Sequence, residues 1–292
     1  KSDLEMSKNT LVCFACDATY KIKDGIPILL KDLNSEKKLS LKKWDTFYDN
    51  LSENERFNQF ADMYYNDHFP GIYDQLNAAK PINNINYLEI GCGPFLMGQR
   101  ISESCTLVIG IDFSFSALKL AKMMLDKKRN TNYLLIQADI LDMPIKSNVI
   151  DLIYGGGVIE HFKDTQTIID ELYRVLAASG VTCNSVPCFN LAALYRQKWG
   201  NIPNVPVLKQ MAEFLHIKVL KGRHMTFGYE LSFLSRTIKN IHKKSGFNEV
   251  LIKRFNVPLT LEFIPDSLKR PVTWLALNCS LFWPMIFVVG KK

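Results

Sequence analysis

From residue 85 onward the chain alternates short apolar runs with helical patterns, and this rhythm restricts the fold more than any other feature. INYLEI (85–90), TLVIGID (106–112), NYLLIQAD (132–139), VIDLIYGG (149–156) and GVTCNSVP (180–187) have the length and branched apolar content of buried strands. Between them, SALKLAKMMLDKK (116–128) sets Leu118, Ala121 and Leu125 on one helical face, with lysines on the other. DTQTIIDELYRVLAAS (164–179) is a further helix, with Asp164 placed to cap its start and Gly180 placed to stop it. Strands that alternate with helices imply an α/β class, a mostly parallel sheet with helices on both faces.

The flanks are less regular. Residues 41–80 read as helical, with Trp44, Phe47, Tyr48, Phe57, Phe60, Tyr64 and Tyr65 at mixed spacings and an interruption at Pro70-Gly71. Residues 188–232 lose the rhythm, LSFLSRTIKNIHKKSGF (231–247) restores a helix, and NEVLIKRFNV (248–257) and MIFVVGKK (285–292) supply two late strands. No helix-length pattern of the earlier kind bridges those two, so they are expected to run antiparallel. PVTWLALNCSLFWPMIFVVG (271–290) carries no charge. Pro284 breaks it, so it reads as a short buried helix followed by a core strand, with a peripheral membrane contact as the second reading.

Net charge of +7 permits anionic partners, although a charge excess is more often a solvated surface. Seven scattered cysteines do not form a disulfide framework and suit a reducing, cytoplasmic setting. Residues 1–9, KSDLEMSKN, read as polar throughout, without the pattern of a secretory signal, and the initial Lys leads one to expect a trimmed chain.

In doubly wound sheets the ligand lies at the carboxyl ends of the strands. Four such ends here carry apt groups. Glu89-Ile90-Gly91-Cys92-Gly93 offers bare backbone after a carboxylate, but Phe95-Leu96-Met97 follows, so the G-x-G-x-x-G dinucleotide fingerprint is absent. Asp112, followed by Phe113, stands about twenty residues on, where an acid can accept two ribose hydroxyls. Asp139-Ile140 pairs a carboxylate with an apolar side chain, suited to the amine and flat face of adenine. Tyr154-Gly155-Gly156-Gly157 presents backbone again, before Val158-Ile159-Glu160-His161-Phe162.

LEIGCGPF, GIDFS, QADILDMP, VIDLIYGGGVIEHF and ELYRVLAASG, in this order, resemble the motifs of class I S-adenosylmethionine-dependent methyltransferases of the small-molecule type. The resemblance spans residues 41–292. It implies a Rossmann-like, seven-stranded sheet with a reversed last strand, and S-adenosylmethionine as cofactor, leaving as S-adenosylhomocysteine. It further implies that Glu89, Gly91, Cys92 and Gly93 shape the methionine end and that Asp112 and Phe113 meet the ribose. Asp139 and Ile140 would then take the adenine, and Gly155 and Gly156 the methionine moiety. Pro94-Phe95-Leu96 departs from the family, where a third small residue is common, and is expected to narrow the loop.

A sulfonium-borne methyl needs alignment more than activation, while a hydroxyl acceptor gains from a general base. His161, after the fourth strand, is the first candidate base, with a structural role as its alternative; His224, in GRHMTFGYELSF, is the second. Tyr48, Tyr65, His161, His224 and Tyr229 are the candidate acceptor contacts, Glu230 lies beside them, and Trp44, Tyr48, Tyr64 and Tyr65 read either as core or as a helical lid. Segments 188–232 and 258–284 are expected to build the acceptor pocket. The leading function is methyl transfer to a small-molecule, lipid-like or modified-peptide acceptor, at oxygen. RNA or protein methylation is the alternative, although no N-P-P-Y/F motif follows the fourth strand, and a non-catalytic cofactor-binding protein is a third.

LVCFACDATYKIKDGIPILL (11–30) holds one C-x-x-C, where a closed zinc site wants four ligands. A redox pair would open a helix in a βαβ setting, which is not the context here. Together with Tyr20–Leu30, Cys13 and Cys16 resemble the second half of a Trm112-type zinc ribbon, and residues 1–40 are read as a remnant of one, its first cysteine pair lying upstream. No metal is expected on this chain, and the GIPILL strand is expected to pack on the main domain.

Overall fold

The computed structural model describes every residue except 1–2, 15–16, 31–32, 53, 195–200, 222–228 and 258–263. The chain divides into two units, residues 1–154 with 174–181, and residues 155–173 with 182–292.

The first unit opens with β1 (Glu5–Ser7), β2 (Thr10–Cys13), β3 (Ala18–Lys23) and β4 (Ile26–Pro27), an antiparallel sheet in sequence order. Asp24 and Gly25 turn the chain between β3 and β4 with φ of 53° and 76°. Ile26 is buried. Just beyond β4, the Leu29 N–H donates to the Gln137 carbonyl at 2.8 Å, and Ile28 bridges Gln137 in parallel. The GIPILL segment therefore does pack on the main sheet, and it covers part of an edge strand that would otherwise offer unpaired backbone.

Helix α1 (Ser35–Leu51) starts at Asn34, whose Oδ1 accepts the Lys37 N–H at 2.8 Å. Helix α2 (Asn54–Met63) continues through a wide π-type turn, Tyr64–His68, into α3 (Phe69–Ala79). Pro70 lies in the first turn of α3, directly after the wide turn, so Pro70-Gly71 marks the junction at which the α-helical pattern is interrupted and restarts. Phe57 and Ala61 bury against Leu96 and Leu120, and Tyr48, Phe60, Tyr64 and Tyr65 pack on that cluster.

The alternating segment follows as β5 (Asn86–Ile90), α4 (Leu96–Ile101), β6 (Leu107–Asp112), α5 (Phe115–Lys127), β7 (Tyr133–Gln137), β8 (Ile150–Gly156), α6 (Thr165–Val175) and β9 (Leu176–Pro187). Then come β10 (Ile202–Pro203), α7 (Pro206–Glu213) with a wide turn at Phe214–Val219, β11 (Leu231–Ser232), α8 (Ser235–Lys244), β12 (Glu249–Arg254), α9 (Asp266–Asn278) and β13 (Met285–Lys291). Seven strands hydrogen-bond in the order β12-β13-β9-β8-β5-β6-β7. β8, β5, β6 and β7 pair in parallel, and β12 pairs antiparallel with β13, as the late strands led one to expect. The chain winds one way from β5 to β7 and then returns to β8, which makes the β5–β8 boundary the switch point.

Two expectations fail. The helix after Asp164 does begin at that cap, but it ends at Val175, and Gly180 lies inside β9. The Arg174 and Val175 carbonyls are taken by Asn148 and Val149, which draws the chain into the sheet early. At Gly180 a Cβ would stand 2.9 Å from the Ile150 carbonyl, so this glycine serves close strand approach. The second failure is the buried C-terminal helix. In α9 only Ala276 is buried, and Trp274 and Leu277 face solvent. Among the described residues, no helix is long and apolar enough to cross a membrane.

Candidate active site

In the first unit, the carboxyl ends of β5, β6 and β7 bring Glu89, Gly91, Gly93, Asp112 and Asp139 to one edge of the sheet. Gly91 and Gly93 adopt φ of 53° and 51°, a region that favours glycine. The Gly93 N–H donates to Asp112 Oδ2 at 2.8 Å, and the Ser114 N–H donates to Oδ1 at 2.8 Å. Burial pushes Asp112 up to about 6, opposed by the backbone donors of Ser114, Gly93 and Phe113. These donors hold an acid at the end of β6 in a fixed orientation, a geometry able to accept a vicinal diol.

Glu89 lies deeper. One oxygen, Oε2, accepts from Tyr87 Oη at 3.1 Å and from the Gly98 N–H at 3.0 Å. Burial pushes its carboxyl up to about 8, against those two hydrogen bonds. Glu89 therefore braces the glycine loop against α4 from beneath. The Cys92 thiol also turns inward: it would stand 3.0 Å from a Cβ at Gly110, and burial raises its pKa well above the ordinary thiol range. Its backbone is engaged as well: the Cys92 N–H donates to the Ile111 carbonyl at 3.1 Å, and the Cys92 carbonyl accepts the Phe95 N–H at 2.8 Å.

Phe95 explains the departure from the family loop. It adopts φ of 57°, the conformation a glycine would supply, yet is fully buried. Its ring lies beneath Gly98, where a Cβ would meet Phe95 Cζ at 2.1 Å. A left-handed backbone is accepted here because the bare Gly98 makes room for the ring.

Helix α1 crosses the same strand ends. Lys37 Nζ pairs with Asp139 Oδ2 at 2.5 Å, Asp45 Oδ1 accepts from Ser114 Oγ at 2.6 Å, and the Tyr48 hydroxyl would stand 2.8 Å from a Cβ at Gly93. Asp139 Oδ1 also accepts the Leu141 N–H at 3.0 Å, which fixes the turn that buries Ile140. Phe113 is half-buried, and its carbonyl accepts from Gln137 Nε2 at 3.0 Å. The Tyr65 hydroxyl is tied to Gln99 Oε1 at 3.3 Å, with Arg100 over the ring, so it braces α4. Lys37 and Asp45 escaped the sequence reading because they sit in a lysine-rich helix without a local signature.

In the second unit, Gly155 is buried and Gly156 exposed at the end of β8. His161 Nδ1 lies 2.9 Å from the Tyr229 carbonyl. A carbonyl only accepts, so Nδ1 carries a proton, and in the neutral ring the lone pair is then on Nε2. The Tyr229 hydroxyl donates to Glu213 Oε1 at 2.7 Å, and the Glu230 carbonyl accepts the Ile202 N–H. His224 lies outside the described residues. Among the described residues, no cluster of three or more His, Cys, Asp or Glu could hold a metal; Cys13 is buried, and Cys16 lies outside the described residues.

Residues 88–183 match a family model described as a methyltransferase domain. Over 117 residues the chain is 31% identical to the malonyl-[acyl-carrier protein] O-methyltransferase of Salmonella typhimurium, covering 40% of this chain and 45% of that protein. It is 28% identical over 190 residues to the demethylmenaquinone methyltransferase of Lactiplantibacillus plantarum, covering 60% and 75%. For several curated relatives the chain spans half of their length or less, with shares of 35%, 45% and 49%. Among solved structures, it superposes on Haemonchus contortus phosphoethanolamine N-methyltransferase 2, in complex with phosphomonomethylethanolamine and S-adenosylhomocysteine. The TM-score is 0.59 at 15% identity, over 87% of this chain and 60% of that one. A Mesorhizobium loti S-adenosylmethionine-dependent methyltransferase gives 0.53 at 17%, over 76% and 98%. The fold is therefore shared with these methyltransferase structures, and residues 88–183 are similar to a methyltransferase domain.

Proposed function

We propose that the chain is a methyltransferase that methylates a small-molecule, lipid-like or modified-peptide acceptor at oxygen. The donor set fits the cofactor: an oriented carboxylate at Asp112, two left-handed glycines at Gly91 and Gly93, and a carboxylate beside buried Ile140. When bound, the cofactor supplies an electrophilic methyl on a sulfonium. Asp112 would accept the ribose hydroxyls, Asp139 the adenine amine, and the Gly91–Gly93 and Gly155–Gly156 backbones would meet the methionine portion. Phe113 and Ile140 would flank the nucleoside.

The observation that carries the reading is the His161 tautomer. With Nδ1–H donated to the Tyr229 carbonyl, Nε2 is the basic nitrogen of the neutral ring. With an alcohol or phenol as acceptor, Nε2 would take the O–H proton, and the bound cofactor would supply the methyl group. Tyr229 and His224 would contact the acceptor, with Tyr48 closing over Gly93. Three relatives are named for O-methylation, two of malonyl-[acyl-carrier protein] and one in ubiquinone biosynthesis, which supports oxygen as the site. The test uses labelled S-adenosylmethionine with a host extract and mass identification of the product. Label on a small hydroxyl compound, with His161→Asn lowering kcat roughly a hundredfold at unchanged cofactor affinity, supports the reading. Label confined to RNA sinks it.

The Trm112-like reading of residues 1–40 rests on Cys13-x-x-Cys16 and the Tyr20–Leu30 tail. In a chain that carries the upstream cysteine pair, one equivalent of zinc lost on Cys13→Ser would establish the cysteines as ligands, and no zinc would refute the reading.

A further inference from the structure

Helix α7 and its wide turn are built inside out. The sequence PVLKQMAEFLHIKVLK (206–221) has apolar residues enough for a core stripe, but that stripe points to solvent. Val207 is 68% exposed, Met211 64%, Phe214 59% and Val219 53%; Leu208, Leu215, Ile217 and Leu220 are exposed as well. Three polar side chains face the other way. Lys209 Nζ donates to the Lys163 carbonyl at 2.9 Å, and Glu213 accepts the Tyr229 hydroxyl at 2.7 Å, while His216 is half-buried. A helix that fixes itself through its polar residues and shows its apolar ones has a second surface to cover.

We propose that this face docks on an anionic lipid bilayer. Charge selects that partner. Glu213 is the only acid within 206–221, and it is turned inward, whereas Lys218 and Lys221 are exposed at the end of the segment. A second copy seated across a two-fold axis would set this basic patch against itself. Phosphate headgroups complement it, and the lysine stems can reach them while Met211 and Phe214 enter the acyl boundary. The segment is too short to span, so it lies in the interface plane. Its anchor is also informative: Glu213 holds the Tyr229 hydroxyl, and the Tyr229 carbonyl holds His161. Independently of this segment, α9 in the same unit shows Trp274, 63% exposed, beside exposed Arg270, an aromatic and cationic pairing typical of headgroup depth.

Co-sedimentation of the full chain with vesicles of phosphatidylcholine, with and without one third phosphatidylglycerol, tests the proposal. Binding is expected only with the anionic lipid. Lys218→Ala with Lys221→Ala should lower it roughly thirtyfold, from about tenfold or less per basic residue near the surface. Met211→Glu with Phe214→Glu should lower it more than tenfold while circular dichroism and melting stay unchanged, since both side chains are exposed. Equal binding to both vesicle types, undiminished binding of the Glu variants, or a concentration-dependent dimer abolished by them would each overturn it. The acceptor plays no part in this readout, so the outcome is separate from that of the methylation assay.

Discussion

Replacing Glu89 by Gln should make the cofactor-free protein more stable at neutral pH, although Glu89 opens the glycine loop. The reasoning starts from burial. The carboxyl is fully enclosed, and its ordinary value of 4.5 is pushed up to about 8. An acid raised on folding contributes stability at low pH and loses it as the pH climbs from 4.5 to about 8. At pH 7 the unfolded side chain is ionised and the folded one protonated, so folding must take up a proton at a cost of about 3 kcal/mol. Gln needs no proton. Its amide oxygen can still accept from Tyr87 Oη and from the Gly98 N–H, both of which converge on one oxygen. Allowing about 1 kcal/mol for weaker hydrogen bonds leaves a gain of about 2 kcal/mol at pH 7. The window for the measurement follows from the other buried groups. Asp112, raised to about 6, has lost its contribution by then, and His242, lowered by burial to about 4, acts in the opposite sense and only below its ordinary 6.5. Urea unfolding between pH 6.5 and 8 should therefore show the parent losing about 1.5 kcal/mol and the Gln variant almost nothing. Parallel slopes for the two proteins would refute the claim that Glu89 is protonated in the fold.

Three further perturbations separate the parts of the site. Asp112→Ala removes the acceptor of the Gly93 and Ser114 N–H groups together with the proposed ribose contact, so S-adenosylhomocysteine should bind at least thirtyfold more weakly by calorimetry. Unchanged affinity would contradict the ribose assignment. Lys37→Ala frees Asp139 from a partly exposed ion pair, worth up to about 1 kcal/mol, and should tighten the same ligand by up to about fivefold; weaker binding would mean that Lys37 itself touches the cofactor. Gly98→Ala drives a Cβ to 2.1 Å from the fully buried Phe95 ring and should destabilise the fold by about 2 kcal/mol or more, read as a lower urea midpoint.

The sheet was legible because its signals are local. INYLEI, TLVIGID, NYLLIQAD and VIDLIYGG each became β5 to β8 within about two residues, since a run of branched apolar residues has few other places to go. The boundary between α6 and β9 was not, because Gly180 has two physical uses. As a helix stop it needs only its own φ; as a strand residue it needs the Ile150 carbonyl, which lies thirty residues away in sequence. The same limit hid Lys37 and Asp45, whose partners Asp139 and Ser114 are 102 and 69 residues distant. It also hid the direction of two helices. Composition says that 206–221 and 271–282 are apolar, but which face meets the protein depends on Glu213 finding Tyr229 and Ala276 finding Ala192.

Helix α1 gives those distant pairs one cause. Lys37, Asp45 and Tyr48 are spaced eight and three residues apart, which places them on a single helical face. That face lies over the ends of three successive strands: Tyr48 meets Gly93 after β5, Asp45 meets Ser114 after β6, and Lys37 meets Asp139 after β7. One rigid element thus reads the three positions assigned to methionine, ribose and adenine. Its contacts are unequal. The Asp45–Ser114 bond can persist beside a ribose held by Asp112, since the Ser114 hydroxyl and not its N–H is involved. An adenine amine donated to Asp139 would compete with Lys37 Nζ for its carboxylate. Binding of the nucleoside therefore exchanges one contact of α1 while retaining the others. The first turn of α1 is accordingly the part that must give way, and hydrogen exchange at Lys37 and Lys38 should change on adding S-adenosylhomocysteine while amides near Tyr48 stay protected.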